Sequence, residues 1–150
     1  MAALSNYAEN KLLDALLRGQ AWTPPATLYF ACHTTAPTDT GGGVECTGGS
    51  YARVAVTANM TNISGTQGAG STGTSSGTSG TVYNNIDIQF SSPTASWGTV
   101  VGMGVYDAPT GGNLLVYGAI SPAKVVNSGD FPPKFSIGQW AFQLDTDIDV

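Results

Sequence analysis

Residues 106–118 read YDAPTGGNLLVYG. A β-branched and aromatic run ends in a proline-containing turn, two glycines close the turn, and a second apolar run leaves it, which is the signature of a β-hairpin. Extending outward, Thr99 to Tyr106 (TVVGMGVY) supplies the first strand and Asn113 to Ile120 (NLLVYGAI) the second. Four further runs share the character of these two: Thr27 to His33, Tyr51 to Ala58, Asn85 to Phe90 and Gln139 to Val150, each bounded by Gly, Pro, Asn or Asp. In the last, Trp140, Phe142, Leu144, Ile148 and Val150 alternate with Gln143, Asp145, Asp147 and Asp149, as in a strand with one buried face. Six short strands separated by such turns predict a mainly β protein, a single antiparallel β-sandwich or barrel-like domain.

One amphipathic helix is expected ahead of the strands, over 5–18. Leu12, Leu13, Leu16 and Leu17 recur at helical spacing with Ala8 one turn earlier. Ser5 or Asn6 can cap its start, Gly19 suits its end, and Pro24-Pro25 forbids continuation.

Between the second and third strands lies SGTQGAGSTGTSSGTSGT, residues 64–81, with six Gly, five Ser and five Thr. Only a helix and two strands precede it, too little for an independent core, so residues 1–150 read as one domain and the stretch as a long loop within the β part, residues 26–150. A free chain of this composition is flexible. If it is ordered, neighbouring subunits are the expected support.

Charged residues make up 10% of the chain, against about 25% in an average soluble domain. A surface so poor in charge suits a protein packed against others. Lys11, Arg18, Arg53, Lys124 and Lys134 are scattered singly in a chain of net charge −5, which excludes a stripe that follows a nucleic-acid backbone. No stretch reaches the length of a membrane span, and the N-terminus lacks the pattern of a signal peptide, so a cytosolic synthesis without membrane insertion is expected.

Motifs for catalysis are absent: no G-x-S-x-G, no P-loop, no H-E-x-x-H. No enzyme activity, catalytic residue, cofactor or metal is therefore expected. His33, the single histidine, adjoins Cys32, and neighbours on a strand point to opposite faces, so the two make neither a nucleophile–base pair nor a shared chelate. Asp145, Asp147 and Asp149 share one strand face; they lack the glycine and distal glutamate of a calcium loop and read as a solvated face. Most of the tryptophans and tyrosines read as packing residues, some as a ligand face. Cys32 and Cys46 flank a loop able to bring them together, leaving three states open: an intrachain disulfide, bonds to neighbouring subunits, or free thiols.

ALSNYAENKLLDALLRG, WTPPATLYFACHTTAPTDTGGG, GGSYARVAV, TASWGTVVGMGVYDAPTGGNLLVYGAI and KVVNSGD, in that order along the chain, resemble a family of small tailed-bacteriophage proteins that go under the name tail fibre protein. The resemblance implies a virion component. The chain has neither the repeats nor the heptads of a fibre shaft, so its size and composition favour a capsid decoration, or cement, protein. Such a protein would sit on the capsid surface as a trimer after synthesis in the host cytoplasm, with copies of itself and the major capsid protein or other virion proteins as partners. The alternative is a tail-fibre or tail/neck-associated protein that binds a host receptor. The expected contact residues are Leu4, Tyr7, Leu12 and Leu16 near the N-terminus and Ser64, Gln67, Ser71 and Ser76 in the loop.

Overall fold

The computed structural model describes residues 2–144. It is mainly β, antiparallel throughout, and forms one sandwich-like domain with a single helix. The order along the chain is β1 (Ala3–Leu4), α1 (Asn6–Leu17), β2 (Thr27–Thr35), β3 (Val44–Glu45), β4 (Val54–Thr57), β5 (Thr81–Tyr83), β6 (Ile88–Gln89), β7 (Gly98–Tyr106), β8 (Leu114–Val126), β9 (Lys134–Phe135) and β10 (Ala141–Gln143).

The hairpin of residues 106–118 is the centre of the fold. β7 and β8 pair antiparallel on either side of it, β1 extends the sheet at β8, and β2 extends it at β7. The far edge of β2 is shared, β4 pairing with Thr27 to Phe30 and β3 with His33 to Thr35. Two ribbons, β5–β10 and β6–β9, form the second layer. Residues paired directly across an antiparallel ladder share a face. Phe30 and Cys32, opposite Val105 and Met103, therefore face the ribbons, joined by Val56, Val100 and Val126 from the sheet and by Ile88, Phe90, Trp97 and Trp140 in one apolar cluster. The Phe30 and Trp140 rings meet edge to face with centroids 5.2 Å apart. Asn84, fully buried, ties the ribbons together: its amide donates to the Ile86 and Ser136 carbonyls and its carbonyl accepts from the Trp140 N–H. Such complete pairing is what makes a buried amide tolerable.

The other sheet face is shaped by VGMGVY. Gly102 and Gly104 stand opposite His33 and Ala31, so of these last alternate positions of β7 only Tyr106 places a side chain on this face. An added Cβ at Gly102 would lie 2.7 Å from Ala36 Cα, and one at Gly104 would meet the Tyr106 ring at 2.8 Å. The glycines let the chain after β2 cross closely and let the His33 and Tyr106 rings lie flat on the sheet.

Helix α1 forms as its sequence predicts, with Ser5 as N-cap accepting from the Ala8 N–H. Its seating differs from the expectation for an amphipathic helix. Only Ala8 is buried, while Leu13, Leu16 and Leu17 are 51%, 72% and 72% exposed. The first turn alone is fastened to the sheet, the Ser5 N–H bonding the Leu115 carbonyl and its hydroxyl the Leu114 carbonyl.

Several expected strands change length. Residues 51–58 contribute only β4 and 85–90 only β6; of 139–150, the described part, 139–144, contributes β10, and Asp145, Asp147 and Asp149 lie outside the described residues. β8 runs on to Val126, and β5 uses the last residue of the Gly/Ser/Thr stretch. The two-residue strands β1, β3 and β9 are too short to show a period.

The 64–81 loop is bonded within itself and to Asn85. The Gln67 amide donates to the Thr74 carbonyl (2.6 Å) and the Ser76 hydroxyl (2.9 Å), Thr66 and Gly77 bond reciprocally, and Ser79 donates to the Thr66 carbonyl. Asn85 clamps the tip, accepting from Gly70 N–H and donating to Ser71 O.

Phe30→Ala is expected to lower unfolding free energy by about 3–5 kcal/mol, because it leaves a cavity at the contact between the two layers. Urea denaturation followed by tryptophan fluorescence measures it.

Candidate functional site

The sheet face opened by the glycines carries a polar network. Arg53, just before β4, has its side chain 5% exposed. Its Nε and Nη2 donate to the two Glu45 carboxylate oxygens at 2.9 and 2.8 Å, a fork-to-fork pair. Its Nη1 donates to the Ala108 and Gly111 carbonyls of the hairpin tip at 2.7 and 2.9 Å. The guanidinium lies 3.7 Å from the Tyr106 ring centroid, a cation–π contact. Glu45 also accepts from the Tyr51 hydroxyl, and Tyr106 shares a hydrogen bond of 3.0 Å with His33 Nε2.

This network holds the hairpin tip against β3 and the approach to β4. Within the tip, Asp107 accepts from the Asn113 N–H at 2.7 Å and from its side-chain amide at 2.8 Å. Gly111 and Gly112 take left-handed conformations, φ 58° and 72°, and Gly112 leaves no room for a Cβ beside Asp107 and Ala108. From the other side, Asn6 N–H bonds the Asp39 carbonyl at 2.8 Å. The hairpin tip, the start of α1 and the turn after β2 enclose an open pocket of about 310 Å³, lined by Asn6, Tyr7, Asp39, Thr40, Tyr106 and Asn113 among others.

Burial alone would raise the Glu45 carboxyl, but the hydrogen bonds from Arg53 and Tyr51 outweigh it and hold the group below its ordinary value. Burial lowers His33, which is 1% exposed and whose Nδ1 has no hydrogen-bond partner among the described residues. This arrangement is structural chemistry. His33 and Cys32 point to opposite sides of the sheet, and among the described residues no three His, Cys, Asp or Glu gather to hold a metal.

Cys46 follows Glu45, and its N–H bonds the Cys32 carbonyl at 2.9 Å, making the cysteines cross-strand neighbours in the register of His33 with Glu45. Both are free thiols, 2% exposed, within the apolar cluster. Burial pushes the Cys46 thiol up to about 11 and raises Cys32 strongly.

The expected contact residues fall into two separate groups. Leu4 in β1 and Tyr7, Leu12 and Leu16 on α1 lie along the β8 edge, where Tyr7 lines the pocket and Leu16 is exposed. Ser64, Gln67, Ser71 and Ser76 lie in the loop beside β5. Ser64 is buried, its hydroxyl accepting from Tyr83 N–H, and Ser71 donates to the Gly65 and Gly68 carbonyls. Gln67 and Ser76 are exposed but bonded to each other. Arg53, Glu45, Asp39 and Asn113 are absent from the sequence-based expectation. A lone arginine inside the apolar run YARVAV, in a chain with five basic residues, was the available signal for Arg53.

A family model described as "Podophage GP4 fiber I protein gp80" matches residues 3–143. The chain belongs to this family. The match takes in the helix, the hairpin, the Arg53 network and the pocket. It establishes a phage fibre-type structural protein and agrees with the resemblance carried by the sequence motifs. No curated protein matches the chain. No helix among the described residues is long and apolar enough to cross a membrane.

Two outcomes test the site's chemistry. A group whose folded value lies below its unfolded one binds its proton more readily in the unfolded chain, so its contribution is present above the unfolded value and lost as pH falls. His33, ordinarily 6.5, and Glu45, ordinarily 4.5, both act in this sense. The melting temperature is expected to decline in two limbs on acidification from neutral pH, and His33→Gln to remove the upper limb, as read by circular dichroism. Separately, both thiols should resist a thiol-specific reagent in the native protein and react together in denaturant, because burial and the raised values suppress the thiolate.

Proposed function

We propose that this protein is a non-enzymatic component of the phage tail-fibre apparatus, built into the virion beside copies of itself or other virion proteins and presented towards the host. The observation that carries the reading is the family match over residues 3–143. The surface supports it. The Leu13, Leu16 and Leu17 side chains of α1 are exposed, and Phe131 is 91% exposed in the loop after β8. Apolar side chains of this size, on a chain with 10% charged residues, are suited to burial against neighbours.

Capsid decoration is the competing place in the particle. Size and low charge suit it, and no described feature favours it over the fibre. Immunogold labelling and quantitative mass spectrometry of purified virions separate the two. The fibre reading expects label at the tail and a copy number that is a small fraction of the major capsid protein's. Label spread over the head, with a copy number approaching that of the capsid protein, would sink it. In the same particles, Leu16→Asp is expected to reduce incorporation severalfold, by placing a charge in a contact that excludes water.

A further inference from the structure

We infer that the cleft between the outer edge of β8 and the two ribbons receives residues 145–150 of a second copy of this chain, lying along β8 as an added strand. The inference names the partner in the reading of a virion part built beside copies of itself, and rests on that reading only for the setting in which copies meet.

β1 pairs with the outer edge of β8 at Val116 and Tyr117, and among the described residues no other strand pairs with that edge. Residues 120–123 have no partner on β7 either. An edge of this kind is a template for an incoming strand. Pro122 and Lys124 blunt its far part, which leaves 118–121 as the stretch open to pairing. Two cavities of about 300 and 360 Å³ follow the edge and share Ile120, Ser121, Phe135 and Gln139. Residues 116–121 and 139–141 all line the first. Successive side chains of a strand point to opposite faces, so an unbroken run of lining residues means that the cavity faces the backbone edge. Met103, Val105 and Trp140 supply its apolar floor. Backbone walls over an apolar floor fit an extended peptide whose alternate residues are apolar.

The sequence DTDIDV at 145–150 has that pattern. In an extended chain Ile148 and Val150 share one side with Thr146, and Asp145, Asp147 and Asp149 share the other. Charge agrees with shape. Lys124 and Lys134, two of the five basic residues in the chain, line the second cavity. Lys134 bridges Asp87 at 3.0 Å, and Lys124 has no ion pair among the described residues. Three carboxylates arriving on the outward side of the segment meet these two ammonium groups. Reach decides that the donor is another copy. Trp140 lines the cleft, and the chain then runs along β5 until Leu144 N–H bonds the Gly80 carbonyl. The four steps from Trp140 to Leu144 cover about 13 Å at the rise of a strand. Residues 145–150 span about 20 Å at most, so a turn and a return would use up the segment before it could fill its own cleft.

The test uses the full chain in sedimentation velocity, with hydrogen exchange to locate the contact. The protein is expected to self-associate with a dissociation constant of about 100 µM, and exchange over 118–121 to slow as concentration rises. Lys124→Glu and Asp147→Lys should each weaken association about tenfold or more. An equimolar mixture of the two variants should restore it to within about threefold of the unaltered chain, because each cleft then meets a segment of opposite charge. Lys11→Glu on α1 makes the same change in net charge as Lys124→Glu and should leave association unchanged. A chain that stays monomeric up to about 1 mM overturns the inference. So does association that neither Lys124→Glu nor Asp147→Lys weakens, that Lys11→Glu weakens equally, or that protects α1 and not 118–121. Two weakened variants whose mixture is not restored also overturn it, as the result of a segment bound within its own chain. These measurements use isolated protein, so a monomer in solution removes this contact and leaves the fibre reading standing, whereas label on the phage head does the reverse.

Discussion

The Arg53 guanidinium is bonded on each of its working edges: a carboxylate across one, two hairpin carbonyls across another, and an aromatic ring against its face. One side chain thus joins β3 and the approach to β4 to the β7–β8 turn, more than fifty residues further along the chain. Lysine could supply the charge but neither the fork nor the flat face. A buried charge is costly unless its bonding is complete, and here that completeness fixes geometry: the hairpin tip can sit in one place only. The pocket inherits its shape from that constraint.

The two faces of the sheet solve different problems. One buries apolar side chains against ribbons that would not be stable alone, and a single fully bonded asparagine sets how the ribbons meet. The other has glycine at two positions of β7, so that rings and an ion pair lie close to the backbone. The first face carries the apolar core, and the second ends beside the hairpin tip. The exposed leucines of α1 belong to neither.

Much of this was legible in the sequence, and the failures have physical causes. YDAPTGGNLLVYG contained its own turn chemistry, so the central hairpin could be read locally. The helix could be read from spacing and its serine cap, but not its seating, because leucines in register say that a face is apolar and not what covers it. The strand over 51–58 shrank since Tyr51 and Arg53 spend their side chains on bonds to distant residues, which overrides local propensity. The site itself was invisible in advance: Glu45, Arg53, Asp39 and Asn113 are ordinary residues whose meaning arises from the register of β2 with β3, β4 and β7. Family resemblance, carried by long collinear motifs, reached the correct class of virion protein while its physical extrapolation to the capsid went beyond what the motifs carry.

The Gly/Ser/Thr loop has a consequence for variation. Its interior bonds are made by short hydroxyls, one glutamine and its own carbonyls, and its attachment to the rest of the protein runs through Ser64, Tyr83, Asn85 and, at Ser79 and Gly80, through Gln143 and Leu144. Residues between those anchors answer to each other and not to the sheet. The loop is therefore a cassette: its length and composition can drift as a unit, and a phage lineage could exchange one such cap for another while the hairpin, the arginine and the core beneath stay as they are.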